Sequence, residues 1–303
     1  MCYLEKYCYH TIMLKGNTTK AQYEQINLSL EYIYYHCGEV LRAKSLAKIS
    51  GYSVYHFHRV FKAITSESVS QYIRNIRLEK SSNLLLYNID KSIEIIAYEV
   101  GFLSSSAFSS AFKKRFSMTP SKWRVEKHEE KSVHQKIDSL FKIKEPEIVY
   151  KPQLPITYLR IHGYRKEIEN TWIRLDKWVK EQKNLKKEYK YIGVFHNYPS
   201  SLPHEECRYL ASIYTDEKIS KGGEFGTCIM EDGMFAKFGF FCTHDELYDL
   251  MKHAYQSWPS KSKYKIRNFP AYAQYSDLKN ILTSNKQDID FFIPLQLKNI
   301  LAI

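Results

Sequence analysis

Between residues 41 and 61 the apolar positions recur at helical intervals, break once, and resume. Leu41, Leu46 and Ile49 share a face with the small Ser45, Ser50-Gly51 interrupts them, and Phe57, Val60 and Phe61 form a second apolar face behind Ser53, a residue able to cap a helix. Two short helices joined by a turn on Gly51 are predicted, because glycine takes the positive φ of a tight turn without steric cost. Upstream, Ile26, Leu30, Ile33 and Tyr34 predict a helix over residues 21–37 that ends at Gly38. Downstream, a long helix over 66–87 carries Val69, Tyr72, Ile73, Ile76, Leu84 and Leu85 as its buried stripe, with Arg74, Arg77 and Lys80 outside. Residues 1–20 are weakly patterned and read as a flexible arm, in which Met13 offers an alternative start.

The pattern then returns. Ile96-Ala97 through Gly101-Phe102 repeats Leu46-Ala47 through Gly51-Tyr52 at an offset of 50, and Ser104, Phe108, Phe112 and Lys113 repeat Ser53, Phe57, Phe61 and Lys62 at an offset of 51. A duplicated helix-turn-helix joined by one long helix predicts an all-α domain over residues 21–125. Residues 126–145 are dense in charge and read as a linker. From 146 to 303 the period alternates between strand and helix, which predicts an α+β domain. Its expected elements are an extended pair at 148–150 and 156–163, a helix over 167–183 and strands at 191–196 and 207–214. A strand at 234–242, a helix over 243–258 opened by a Thr243/Glu246 capping box, and strands at 271–275 and 289–297 complete it.

Charge gives the helical domain a candidate partner. The chain of 303 residues carries +12 overall, divided equally, since residues 1–130 hold 18 Lys+Arg against 12 Asp+Glu. The total therefore locates nothing. The clustering does: residues 40–66 contain Arg42, Lys44, Lys48, Arg59 and Lys62 and no acid, a one-signed surface suited to a phosphate backbone. Six cysteines at 2, 8, 37, 207, 228 and 242 form no CxxC pair and no His/Cys ligand spacing, so reduced thiols are expected and neither a metal nor another cofactor is. No apolar run approaches the roughly 18 residues of a membrane span, and a secretory leader is missing, so a cytoplasmic protein without membrane contact is expected.

Residues 22–124 resemble the DNA-binding domain of the AraC/XylS family. The resemblance rests on Gly-Tyr-Ser-x-Tyr-His-Phe-His-Arg-x-Phe-Lys from Gly51, Tyr-Ile-Arg-x-x-Arg-Leu from Tyr72, Ile-Ala-x-x-x-Gly-Phe from Ile96 and Ala-Phe-x-x-Ala-Phe-Lys-x-x-Phe from Ala107. It implies a monomer that binds duplex DNA and probes the major groove with Val54, Tyr55, His58 and Arg59, beside Arg42, Lys44 and Lys62. Arg59 is suited to the O6/N7 edge of guanine, or to a phosphate. The second unit offers Ser105, Ser106, Ser109 and Ser110, with Lys113, Lys114 and Arg115 toward the backbone; the family's frequent Arg at position 110 is missing, so weak base reading is expected there. RNA polymerase is the protein partner that the resemblance implies.

Residues 146–298 resemble the GyrI-like effector-binding domain, through Cys207-Arg208-Tyr209, Asp232-Gly233-Met234-Phe235-Ala236, His244 with Tyr255 and Trp258-Pro259, and the run from Phe269 to Tyr275. This implies two strand-helix-strand-strand halves around an aromatic cleft, with Phe195, Tyr209, Phe240, Trp258, Tyr272 and Tyr275 as lining. Strand aromatics serve a core as readily as a ligand pocket. Where the family's Pro-x-aromatic-Glu-x-Tyr motif has its acid, this chain has Ala273. A planar neutral or anionic effector is therefore expected, unless Glu205, Glu206 or Glu224 replaces the acid. The same loss removes a general acid/base, so a hydrolase is the weaker alternative to a regulator, beside a module that holds a protein partner.

Overall fold

The computed structural model describes residues 19–134, 144–162, 168–182, 189–198, 201–203, 206–215, 223–259, 262–283 and 285–297. The expected arm up to residue 18, the later part of the expected linker, the ends of the 156–163 strand and the 167–183 helix, Glu205 and the last six residues lie outside the described residues.

The first seven helices are α1 (Lys20–His36), α2 (Ala43–Ile49), α3 (Val54–Thr65), α4 (Val69–Tyr87), α5 (Ile93–Glu99), α6 (Ser105–Phe116) and α7 (Pro120–His134). The duplication reaches the backbone. Gly51 and Gly101 turn at φ 68° and 90°, and Ser53 and Ser104 cap α3 and α6 by accepting N–H bonds from His56 and Ala107. Both helices end on a left-handed serine, Ser66 at φ 63° and Ser117 at φ 61°, a conformation that costs a residue with a side chain about 1–2 kcal/mol. Leu46, Ala47, Phe57 and Phe61 pack on Ile26, Leu30 and Ile33 of α1, while Ile96, Ala97, Phe108 and Phe112 pack on Leu84, Leu85 and Trp123. Helix α7 continues the fold across the expected boundary at residue 125.

Helix α4 departs from its expected single stripe. Every residue from Leu78 to Leu86 is buried, Lys80 included. The Lys80 ammonium, expected in solvent, donates to the Tyr34 carbonyl at 2.6 Å and sits 4.2 Å from the centre of the Tyr34 ring, and burial lowers its pKa. Arg77 likewise turns inward to the carbonyls of Cys37 and Glu39, both at 2.8 Å. Lys80 and Arg77 find their partners on α1 and the turn after it, within the helical module, whereas Glu79 and Asn83 find theirs in the second module.

That module contains β1 (Glu147–Lys151), β2 (Leu154–His162), α8 (Ile168–Lys180), β3 (Lys190–Phe195), β4 (Arg208–Tyr214), β5 (Gly226–Met230), β6 (Gly233–Cys242), α9 (His244–Ser257), β7 (Tyr264–Ile266), β8 (Ala271–Tyr275), α10 (Leu278–Leu282) and β9 (Gln287–Leu297). One antiparallel sheet runs β1-β6-β9-β8-β3-β4-β2-β5, with β7 added to β9. The order reads as two mirrored halves, β2-α8-β3-β4 and β6-α9-β8-β9, which meet where β3 pairs with β8. Each outer edge is exchanged: β1 pairs with β6 of the second half, and β5 with β2 of the first. The two segments expected as an extended pair therefore do not pair with each other, and β5, β7 and α10, too short to carry a clear period, complete the sheet. The Thr243/Glu246 capping box opens α9 as expected.

The pleat sends Tyr209, Ala211 and Ile213 beneath α8 and α9, and Arg208, Leu210 and Ser212 to the opposite face, where the helical module docks. Arg208 anchors the docking. Its Nε and Nη2 donate to the two oxygens of Glu79 at 2.6 and 3.0 Å, and its Nη1 donates to Tyr72 Oη at 3.1 Å. Glu79 and Arg208 are 6% and 4% exposed, so water cannot compensate a lost partner. Asn83 adds a clamp, donating to the His196 carbonyl at 3.1 Å and accepting from the Tyr198 N–H at 3.3 Å. Truncation of one partner, Glu79→Ala, is expected to cost about 3–5 kcal/mol by urea denaturation, and the paired replacement Glu79→Met/Arg208→Leu far less; equal losses would show that the charge contributes nothing beyond packing.

Candidate nucleic-acid interface and effector cleft

Helix α3 sorts its residues cleanly. Phe57, Val60, Phe61 and Ile64 are buried, whereas Val54, Tyr55, His58, Arg59 and Lys62 face outward together, with Tyr55 at 81% exposure. An aromatic ring so exposed has no intramolecular role in packing. The Arg59 guanidinium lies 3.2 Å from His56 Nδ1, and the His56 ring packs edge-on against Tyr52 at 4.7 Å. Arg59 is thus held through one terminal nitrogen, Nη2, on its own helix. Arg42 and Lys44, exposed at the start of α2, flank this surface.

Helix α6 has the same framework and a different outer face. Phe108 and Phe112 are buried, Ser106, Ser110, Lys113 and Lys114 are exposed, and Ser105 and Ser109 are half-buried. Leu103 is the residue behind the change of offset from 50 to 51, and it stands 91% exposed at the mouth of α6. Arg115 turns away from the outer face to pair with Glu206 of the second module. Sequence reasoning placed Arg115 with Lys113 and Lys114 and had no signal for an acid 91 positions away.

The aromatic candidates of the second module fall on both faces of the sheet. Phe195, Tyr209, Phe240, Ala273 and Tyr275 lie in the core under α8 and α9, with Trp258 packed at its margin, whereas Tyr272 belongs to the opposite core and stacks on Phe292 at 4.5 Å. The first group centres on the junction of the halves, where Gly193 pairs directly with Ala273. Two residues this small leave room for rings: a Cβ on Gly193 would collide with the Tyr209 ring, which lies over it. Trp172 closes the cluster at 5.8 Å from Tyr275 and 6.4 Å from Tyr209.

A polar chain runs through these rings. Tyr209 Oη is 3.4 Å from Tyr275 Oη, which is 3.1 Å from His244 Nδ1. Burial pushes both phenols above their ordinary range, so they stay protonated. Burial also lowers His244 to about 4, opposed by the neighbouring Asp245, and its place in the first turn of α9 further disfavours a cation. The cluster is therefore neutral at pH 7. Two of the acids considered as replacements at position 273 are engaged elsewhere, Glu206 by Arg115 and Glu224 by Arg174. The Tyr255 hydroxyl is buried without a hydrogen-bond partner among the described residues. No three His, Cys, Asp or Glu side chains gather as a metal site among the described residues, and none of the described helices is long and apolar enough to cross a membrane.

A tandem helix-turn-helix module fused to a two-half antiparallel domain is the class of protein that this architecture defines. The family model described as a helix-turn-helix domain matches residues 46–126, and that of the GyrI-like small molecule binding domain matches residues 144–296. The Msm operon regulatory protein of Streptococcus mutans is 37% identical over 111 residues, 37% of this chain and 38% of that protein. The regulatory protein SoxS of Salmonella typhimurium is 33% identical over 99 residues, 33% of this chain and 92% of SoxS, and the transcriptional regulator Rob of the same organism is 37% identical over 89 residues, 29% of this chain and 30% of Rob. The chain thus spans about a third of the Msm protein and of Rob, and nearly all of SoxS. The chain belongs to the AraC/XylS family and carries a GyrI-like small molecule binding domain.

His244 gives this buried cluster a pH signature. The unfolded imidazole takes up its proton near pH 6.5 and the folded one only near 4, so between these values the unfolded chain binds more protons and stability falls as pH drops. Melting curves at pH 7 and pH 4.5 are expected to show a smaller acid-induced fall in Tm for His244→Asn than for the native chain; an equal fall removes His244 as the cause.

Proposed function

We propose that this chain is a one-component transcription regulator that binds duplex DNA as a cytoplasmic monomer and senses a planar neutral or anionic small molecule in its second domain. The observation that carries the reading is the pair of outward-facing recognition helices, α3 and α6, attached to the single helix α4. Two such helices can enter successive major grooves about 34 Å apart on one face of the duplex, and one chain needs no palindrome to do so. A regulator of this kind acts through RNA polymerase, its expected protein partner, and has no use for catalysis; the AdaA protein of Bacillus subtilis, whose name describes a bifunctional activator and DNA repair enzyme, is a relative in which the two are combined.

Base reading is assigned chiefly to α3, where Arg59 is the one guanidinium on the outward face, and phosphate contact to Arg42, Lys44, Lys62, Lys113 and Lys114. On a site obtained by selection from random duplexes, Arg59→Ala is expected to cost about 1–3 kcal/mol and to relax preference at one or two base pairs. Ser106→Ala and Ser110→Ala are each expected to cost far less. A uniform loss for Arg59→Ala across unrelated duplexes would make it a phosphate contact only.

The effector reading rests on the uncharged cluster around Ala273. Calorimetry with a matched pair of planar ligands, one neutral and one cationic, is expected to favour the neutral one for the native chain. Ala273→Glu reverses the preference by on the order of 2 kcal/mol, because a desolvated carboxylate against aromatic walls attracts a cation. Tight cation binding by the native chain would sink the assignment.

A further inference from the structure

We propose that residues 206–209 are a strap through which the second domain fixes the relative pose of the two recognition helices, and so selects the spacing between the DNA half-sites that the chain accepts. The proposal rests on the DNA-binding reading above and adds a positioning role for residues far from the groove.

The strap touches both helix-turn-helix units. Glu206 pairs with Arg115 in the last turn of α6, the second recognition helix. Arg208 grips Glu79 with two hydrogen bonds and Tyr72 with a third, and its guanidinium stacks 4.9 Å from the Tyr72 ring. Tyr72 in turn packs edge-on against Phe61 of α3 at 5.4 Å, so Arg208 presses on the ring that supports the first recognition helix. The strap is stiff at its base, because Asn197 Oδ1 accepts the Arg208 N–H at 2.7 Å. A two-pronged contact between a planar guanidinium and a carboxylate defines an orientation as well as a distance. The second domain therefore holds α4 at one point and α6 at another, which is what fixing an angle between two bodies requires.

The fourth strap residue faces the other way. Tyr209 follows Arg208 on β4, so the pleat sends its ring through the sheet into the cluster of Gly193, Trp172 and Tyr275. A molecule that displaces this ring drags the backbone that carries Arg208. The cleft and the spacing of the recognition helices thereby share one short mechanical element with discrete contacts at each end, the physical basis that an allosteric claim needs.

The test compares duplexes that carry the selected site with duplexes lengthened or shortened by one base pair between its halves, a change that turns the second half by about 34°. The native chain is expected to prefer its own spacing by about tenfold or more. In Glu206→Gln, and separately in Glu79→Gln/Arg208→Gln, which removes the buried charges as a pair so that the chain still folds, the preference drops below about threefold. Affinity for a duplex with only the first half-site stays within twofold, about 0.4 kcal/mol, which separates positioning from a general loss of binding. Gly193→Ala, which forces the Tyr209 ring off its seat, is expected to shift the same ratio. An unchanged spacing ratio in Glu206→Gln and in the double variant overturns the strap, and an unchanged ratio in Gly193→Ala overturns its link to the cleft. Failure of the native chain to bind any duplex overturns the DNA reading itself and, with it, this one.

Discussion

A carboxylate and a guanidinium beyond the reach of water hold the two modules in one arrangement. Taking either charge out of solvent is costly, and only the complementary geometry of Glu79 and Arg208, completed by Tyr72, offsets the loss. Burial acts to lower the Arg208 pKa, but Glu79, Tyr72 and Glu67 together raise it above its ordinary range, so the guanidinium stays charged in the interface. The net contribution of such a pair to stability is small, but any other docking leaves two buried charges unpaired. The pair is therefore a constraint on arrangement more than a source of stability.

From this constraint follows the character of α4. A helix that joins two helix-turn-helix units in isolation needs one apolar stripe for them and can leave the rest to water. Here the second module takes part of the remaining face, where Glu79 and Asn83 have buried partners, while Lys80 is satisfied within the helical module by the Tyr34 carbonyl. The helix is thus the seam of the molecule as well as the rod between its recognition helices. Helix α1 extends the seam through Tyr35, whose ring lies 6.3 Å from Phe269, and Asn27, which donates to the Glu224 carbonyl at 3.3 Å.

On the far side of the sheet a different economy operates. The halves meet over Gly193 and Ala273, and the missing side chains give Tyr209 its place. Neutral phenols and a neutral imidazole then form a hydrogen-bonded chain, which a formal charge at position 273 would disrupt by attracting a counter-ion or by raising its own pKa. Glu206 cannot serve both this cluster and Arg115, so its engagement with α6 leaves the cluster uncharged while tying the modules together.

The sequence by itself determined whatever depends on neighbours within a few turns: the duplicated helix-turn-helix, its serine caps and glycine turns, the capping box of α9 and the outward set on α3. These follow from local periodicity and from residues whose backbone preferences act alone. It also conveyed, through the resemblance, the two-half sheet and the loss of the acid at position 273. Only the tertiary structure decided the burial of Lys80, the diversion of Arg115 from the outer face of α6 to Glu206, the division of the aromatic candidates between two faces with Tyr272 apart from the rest, and the exchanged edge strands. Each of these depends on a partner far away in sequence, and a single chain's periodicity records that a side chain is polar or apolar without recording what will come to lie against it.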